Sequence, residues 1–315
     1  MVNFTQHTIN TPYMVGSVHC YSATIDGDLV LFDTGPATEE ASSYLEEHID
    51  LDNLRHVILT HCHIDHYGQA LWLEKRCNAT IYLPYSDSLK AKLHGQRMDG
   101  MYRILAELGF DAAYLLELDK IFDKGSILQP FPRQYKIAER DIPRRLGIGV
   151  LACPGHSQSD LVYTVEDYAV TGDTLLKGIF QSPLLDVYLK TGERFDNYAA
   201  YCETIVTLSA LEGKTVLPGH RKNIPGIKET LNFYLSKLLV RVQQLHQYPE
   251  EKSLMQLVDK LLQGRVKDIF HIYLKASEIV FMMDFLKDPG RLKNALERSG
   301  LWPDVAELYE AAILE

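Results

Sequence analysis

The chain has 315 residues, 46% of them hydrophobic, which suits one large domain with a full core or a domain carrying an appended piece. A formal charge of -10 and a pI near 5.6 argue against a surface built to attract phosphate backbones, so nucleic acid is not the expected partner. The N-terminal MVNFTQHTINTPY lacks a basic stretch followed by an apolar run, and no later stretch is apolar enough to span a bilayer, so a cytoplasmic protein with no membrane partner is expected.

A hairpin opens the pattern: SVHCYSATI and LVLFDTG flank a turn at Asp26 and Gly27. TEEASSYLEEHI reads as a helix, VILT as a strand leading into THCHIDH, QALWLEKR as a helix and ATIYLP as a strand. This alternation predicts an α/β fold with helices packed on a sheet. From about residue 85 to about 145, helical patterning in LKAKLHGQRMDGMYRILAELG and the proline-containing QPFPRQYKIAERDIPRR form an insertion beside the site.

Short strands resume in GIGVLACPGH, LVYTV, YAVTGD and TVLPGH. Beyond them the pattern is almost wholly helical. Leu231, Tyr234, Leu235, Leu238, Leu239, Val242 and Leu245 recur at three- and four-residue spacing as one apolar stripe. Ser253 and Gln256 form a capping box before LMQLVDKLL, Gly264 is placed to stop that helix, and ASEIVFMMDFL ends before Pro289. The expected division is a catalytic domain over residues 1–225 and a C-terminal helical extension over 226–315.

The chemistry gathers where strands end. THCHIDH follows the apolar VILT, and alternation sends His61 and His63 one way and Cys62 the other, while the loop beyond brings Asp65 and His66 toward a second position. Three more apolar strands end on a ligand type: VLACPGH on His156, YAVTGD on Asp173 and TVLPGH on His220. A lone histidine is more often a hydrogen-bonded structural residue, but four such segments together point to metal.

THCHIDH, CPGHS, TGDT and PGH, in this order, resemble the ordered motifs of the metallo-β-lactamase superfamily over roughly the first 225 residues. The resemblance implies an αββα sandwich with its site at one edge, a helical insertion and a C-terminal helical subdomain being added here. It implies a first metal on the residues matching His61, His63 and His156, a second on Asp65, His66 and His220, and Asp173 bridging both. Asp65 and Asp173 are then the candidates for catalytic roles. Imidazole and carboxylate ligands suit two Zn²⁺ ions, and iron or manganese is compatible with the same set. In this reading a hydroxide bridging the ions is the nucleophile.

Four further residues are candidates around that centre. Asp33, in LFDTG, matches a family position near the metal loop from which a carboxylate orients a ligand histidine, the alternative being a turn residue. Lys177 is placed to hold a substrate anion or, alternatively, is simply solvated; Tyr67 and His19 are site candidates with packing as the alternative. The five cysteines, Cys20, Cys62, Cys77, Cys153 and Cys202, form no CxxC pair and read as reduced thiols, and Cys153 near His156 reads as a buried thiol. Arg144 and Arg145 read as a solvated pair.

The superfamily acts on β-lactams, thioesters, lactones and phosphodiesters, so the fold does not name the substrate. Absence of a flavodoxin domain argues against flavodiiron proteins, and the long helical tail against secreted β-lactamases. Layout is nearest to cytosolic acyl-type hydrolases with a helical insertion and tail, glyoxalase II among the thioesterases having a comparable helical C-terminus. The expected activity is metal-dependent hydrolysis of an ester or thioester in a small-molecule substrate, with a phosphodiesterase or nuclease as the enzymatic alternative and a non-catalytic metal-binding regulator as the alternative of another class. Insertion and tail are expected to form a lid, with RILAELGF and IVFMMDFL lining a shared cavity; the tail's apolar stripe could instead fill its own core or form a homodimer interface.

Overall fold

The computed structural model describes residues 1–13, 15–123, 130–180, 183–248, 253–262 and 268–314. Ten strands run through these residues: β1 Thr5–Ile9, β2 Val18–Ile25, β3 Asp28–Phe32, β4 Leu54–Ile58, β5 Thr80–Leu83, β6 Lys136–Ile137, β7 Gly149–Ala152, β8 Leu161–Val165, β9 Tyr168–Gly172 and β10 Thr215–Pro218. They form a six-stranded sheet in the order β1-β2-β3-β4-β5-β6 and a four-stranded sheet in the order β10-β9-β8-β7. The hairpin at Asp26 and Gly27 is present, with β2 and β3 antiparallel from Tyr21↔Phe32 to Ile25↔Asp28.

Alternation along the strands builds the layers. In β2 and β3, Tyr21, Ala23, Ile25, Val30 and Phe32 face inward and meet Leu161, Tyr163, Val165 and Val170 of the other sheet. Val18, Cys20, Leu31 and Val57 face outward under the helices α1 Glu39–His48, α2 Ile64–Tyr67 and α3 Ala70–Arg76. Thr38 caps α1 by accepting from the Ala41 amide. The outward residues of the second sheet, Val162, Ala169 and Val216, sit under the remaining helices. The sequence of layers is therefore helix, sheet, sheet, helix, the architecture expected from the motifs.

The insertion forms α4 Tyr85–Lys92, α5 His94–Glu107, α6 Ala112–Asp123 and the short α7 Ala138–Asp141. After α8 Asn197–Ser209, the tail adds α9 Ile227–Leu245, α10 Leu254–Leu262, α11 Ile269–Lys287, α12 Pro289–Ser299 and α13 Trp302–Ile313. The capping box forms as expected, with Ser253 and Gln256 bonded reciprocally. Gly264 lies outside the described residues, as does Gln129 at the head of the proline-containing passage.

The insertion and the tail do meet. Ile104, Leu105 and Phe110 share one hydrophobic cluster with Ile279, Phe281 and Phe285, and the Tyr114 hydroxyl donates to the Ile269 carbonyl at 2.6 Å. All six of these side chains are buried, at 5% exposure or less. Helix α11 buries Tyr273, Ala276, Ile279, Val280, Phe281, Met282 and Phe285 in this layer. The α9 stripe is likewise buried in the protein's own core. Among the described residues no helix is long and apolar enough to cross a membrane.

Candidate metal centre

The strand ends converge at one edge of the sandwich. Beyond β4, the Thr60 carbonyl accepts from the Leu161 amide at 2.9 Å, so the loop of the first sheet is tied to the second. The His63 carbonyl accepts from the amides of His66 and Tyr67 and starts α2, which carries Asp65 and His66 inward. β9 and β10 are parallel neighbours, and the Gly219 amide donates to the Gly172 carbonyl at 2.7 Å, so Asp173 and His220 leave the same edge together.

Two glycines make this approach close enough. A Cβ on Gly219 would stand 2.7 Å from His66 Cε1 and 2.9 Å from Asp173 Oδ1. Gly172, at φ +49, would put a Cβ 2.5 Å from Thr60 Oγ1.

All seven residues expected as ligands come together in two groups. His61, His63, His156 and Asp173 form one and Asp65, His66 and His220 the other, the ligand atoms of each lying within 4.8 Å of one another. His63 Nδ1 is 3.0 Å from His61 Nε2 and 3.1 Å from His156 Nε2. His220 Nε2 is 3.1 Å from Asp65 Oδ2. Asp173 faces both groups: Oδ1 is 3.3 Å from His66 Nε2 and 3.5 Å from His220 Nε2, and Oδ2 is 3.9 Å from His156 Nε2.

These residues fit a metal. His63 Nδ1, about 3 Å from a nitrogen of His61 and of His156, is at a separation close to the edge of a tetrahedron of nitrogen ligands around zinc, and such nitrogens repel one another without a proton or cation between them. His66 Nε2 and His220 Nε2 are buried, aimed into the cluster, and make no hydrogen bond.

A model of the metallo-β-lactamase superfamily matches residues 13–220. The chain belongs to that superfamily. It is 27% identical over 259 residues, 78% of this chain and 80% of the relative, to the probable metallo-hydrolase YqjP of Bacillus subtilis (strain 168). A metallo-β-lactamase family protein from Thermus thermophilus superposes with a TM-score of 0.72 at 17% identity, covering 91% of this chain and 94% of the other. A β-lactamase domain protein from Burkholderia ambifaria gives a TM-score of 0.70 at 18% identity over 91% and 86% of the two chains. Both likenesses concern the fold.

Within this superfamily member the histidines are set by their outer nitrogens. His66 Nδ1 is held by Asp33 Oδ2 at 2.8 Å, His220 Nδ1 by the Ser17 carbonyl at 2.8 Å, and His61 Nδ1 lies 3.1 Å from Thr60 Oγ1. Asp33 takes up the left-handed backbone at φ 58, and its carboxylate also accepts from the Thr60 amide and hydroxyl.

The other candidates fall on the side of packing and solvation. His19 uses both ring nitrogens, Nδ1 with Thr8 Oγ1 and Gln6 Nε2 and Nε2 with the Arg221 carbonyl. The Tyr67 ring is stacked on Phe131 in the cluster under α1 and α3. Lys177 is exposed in a turn. Arg145 pairs with Asp26 and Asp28 at the hairpin, and burial pushes the Cys153 thiol up to about 12.

Electrostatics divide the two groups. Burial, helped by the neighbouring histidines, holds His61 well below the ordinary histidine range and His63 at about 3, so both present neutral imidazole. Burial also disfavours a charged His66, but the carboxylates of Asp173, Asp65 and Asp33 outweigh it and hold His66 well above 6.5. His220 is raised in the same way, burial being outweighed by the carboxylates of Asp173 and Asp65. Asp65 and Asp173 are held low by those histidines in spite of burial.

Several polar residues around the centre were not foreseen. Asp87, Lys90 and Asp186 are buried beside the first group, and Asp160 accepts from the Ser157 amide and hydroxyl, its carboxyl pushed by burial to about 6. Nothing local in YSDSLKAK distinguishes Asp87 and Lys90 from an ordinary i,i+3 surface pair.

Proposed function

We propose that the chain is a dinuclear, zinc-dependent hydrolase that cleaves an ester or thioester bond of a small-molecule substrate. The observation that carries this is Asp173, whose two oxygens face separate histidine groups at a distance suited to a shared carboxylate. Bound ions would lower the pKa of water toward neutrality and polarise a substrate carbonyl. His61, His63 and His156 would hold one ion, Asp65, His66 and His220 the other, and Asp173 both.

This chain's residues supply position and dryness. His61, Asp65, His66, Asp173 and His220 are each less than 9% exposed, while His63 and His156 are half-buried, so substrate enters past those two. Burial of most of the ligand residues supports a small or acyl-chain substrate over a polymer, and the charge of -10 supports the same choice over a nucleic acid. The free state of all five cysteines agrees with a cytoplasmic location.

The test is turnover of generic thioesters, lactones, esters and phosphodiesters by protein loaded in turn with zinc, iron and manganese. Thioester or ester turnover dependent on metal is expected. Preference for phosphodiesters would replace the acyl assignment, and no turnover with any metal would favour a non-catalytic metal-binding protein.

A further inference from the structure

We infer that Asp87 and Lys90, from the first helix of the insertion, are positioning residues for the first metal group. They hold the turn bearing His61 and His63 and the loop bearing His156 at a fixed separation. The inference rests on the metal centre proposed above.

The connection is continuous and buried. Asp87 Oδ2 accepts from the amide of Cys62, the residue between the two histidines, at 2.7 Å. Its Oδ1 lies 3.0 Å from Lys90 Nζ. Lys90 Nζ donates to Ser159 Oγ at 3.2 Å, and Ser159 Oγ lies 3.0 Å from Ser157 Oγ, on the residue after His156. Asp186 Oδ2 lies 3.8 Å from the same ammonium and accepts from Gln158 of the His156 loop at 2.8 Å, while Arg97 of α5 bonds both Asp186 oxygens.

Charges alternate along this chain, so each buried ion has an opposite neighbour. A lysine suits the centre of it, because one ammonium has three donors that can point to three different segments. The arrangement is one-sided. Its bonds flank His61, His63 and His156, whereas His66 is held by Asp33 and His220 by Ser17. The first group thus has a buried support of its own from the insertion, beside the Thr60 contact that Asp33 anchors.

A first-group site needs three nitrogens placed to within about 0.5 Å on two separate loops. Cutting the tie should therefore loosen one ion and leave the other. Lys90→Met alone would strand the Asp87 charge, so the main variant is Asp87→Asn with Lys90→Met, which removes both charges together. Each group is read separately by competition against a chromophoric chelator, the first in a His220→Ala background and the second in a His61→Ala background.

The double variant is expected to weaken zinc at the first group by about 10–100-fold and at the second by less than about threefold, with the melting temperature of the metal-free protein little changed. Ser159→Ala, which keeps both charges and removes only the bond from Lys90, should weaken the first group by less, and it decides the matter if the double variant does not fold. Equal loosening of both groups, or a lowered melting temperature with first-group affinity intact, would overturn the inference. Failure of the His220→Ala protein with Asp87 and Lys90 intact to bind zinc would instead overturn the metal centre, and this inference with it.

Discussion

Asp33 Oδ2 stands 2.8 Å from His66 Nδ1, and this contact decides which nitrogen of His66 faces the cluster. Asp33→Asn tests it cleanly, because asparagine tolerates the φ of 58 that the position requires. To keep accepting from the Thr60 amide the new side chain must turn its NH2 toward His66 Nδ1, which then accepts and leaves the proton on the metal-facing Nε2. Affinity for the second ion should fall by about 10–100-fold, and that for the first by less, since Asp33 reaches His61 only through Thr60. A chelator-competition titration showing unchanged affinity would remove Asp33 from its orienting role.

Asp173 lies between the two groups, so its removal should be felt by both ions. Asp173→Ala is expected to lower hydrolysis by about 10²-fold or more and to reduce the metal content from two ions per chain, while circular dichroism of the sheet is retained. Asp173→Asn separates charge from shape and should fall between the two. Elemental analysis checks the ions and a substrate assay the turnover; full turnover in either variant would place the nucleophile elsewhere.

What was legible in the sequence was whatever the chain writes consecutively. The HxHxDH segment and the three strand-end ligands are local patterns, and so is the hairpin at Asp26 and Gly27. β1 was not: of TQHTI only His7 and Ile9 are buried, leaving too little alternation to see. That omission hid the role of His19, whose Nδ1 is bonded to β1 residues Gln6 and Thr8. The ties from Asp87 and Lys90 to Cys62 and Ser159 join segments 25 and 69 residues apart, and only the folded chain brings them together. IVFMMDFL reads as apolar, but which side chains it packs against, those of α5 and α8 among them, depends on the fold.

The metal-free centre should be sensitive to pH in a definite direction. The raised values of His66 and His220 stabilise the native state fully below 6.5, and this contribution is lost as pH rises through their native values. The depressed values of Asp65 and Asp173 contribute above 3.8 and are lost as pH falls through theirs. His61 and His63, held below 6.5, stay neutral in the native state and so cost stability as pH falls below 6.5. Chelated protein should therefore melt highest near pH 6.5 and less well in both acid and alkaline buffer. Filling the second group at pH 7 must displace the His66 proton, so calorimetry in buffers of different ionisation enthalpy should register proton release. Metal uptake at pH 7 with no proton release would contradict the raised value of His66.

Gly219 offers a steric test in which every ligand residue is kept. Its added Cβ would meet His66 Cε1 at 2.7 Å, Asp173 Oδ1 at 2.9 Å and the Gly172 carbonyl carbon at 3.0 Å. None of these can give way easily: His66 is clamped by Asp33, Gly172 is backbone, and the Gly219 amide is itself bonded to the Gly172 carbonyl. Gly219→Ala should thus destabilise the chelated protein by about 1–3 kcal/mol, as overpacking does, and push His66 and Asp173 apart so that the second ion binds weakly. Gly95→Ala is the control, because a Cβ there meets nothing within 4 Å and the residue lies in α5, where alanine is the better helix former by at most about 1 kcal/mol. Melting curves of the two chelated variants, followed by metal counts after reloading, separate the effects. A Gly219→Ala protein that melts with the parent and holds two ions would show that the approach of β10 to β9 is looser than these distances imply.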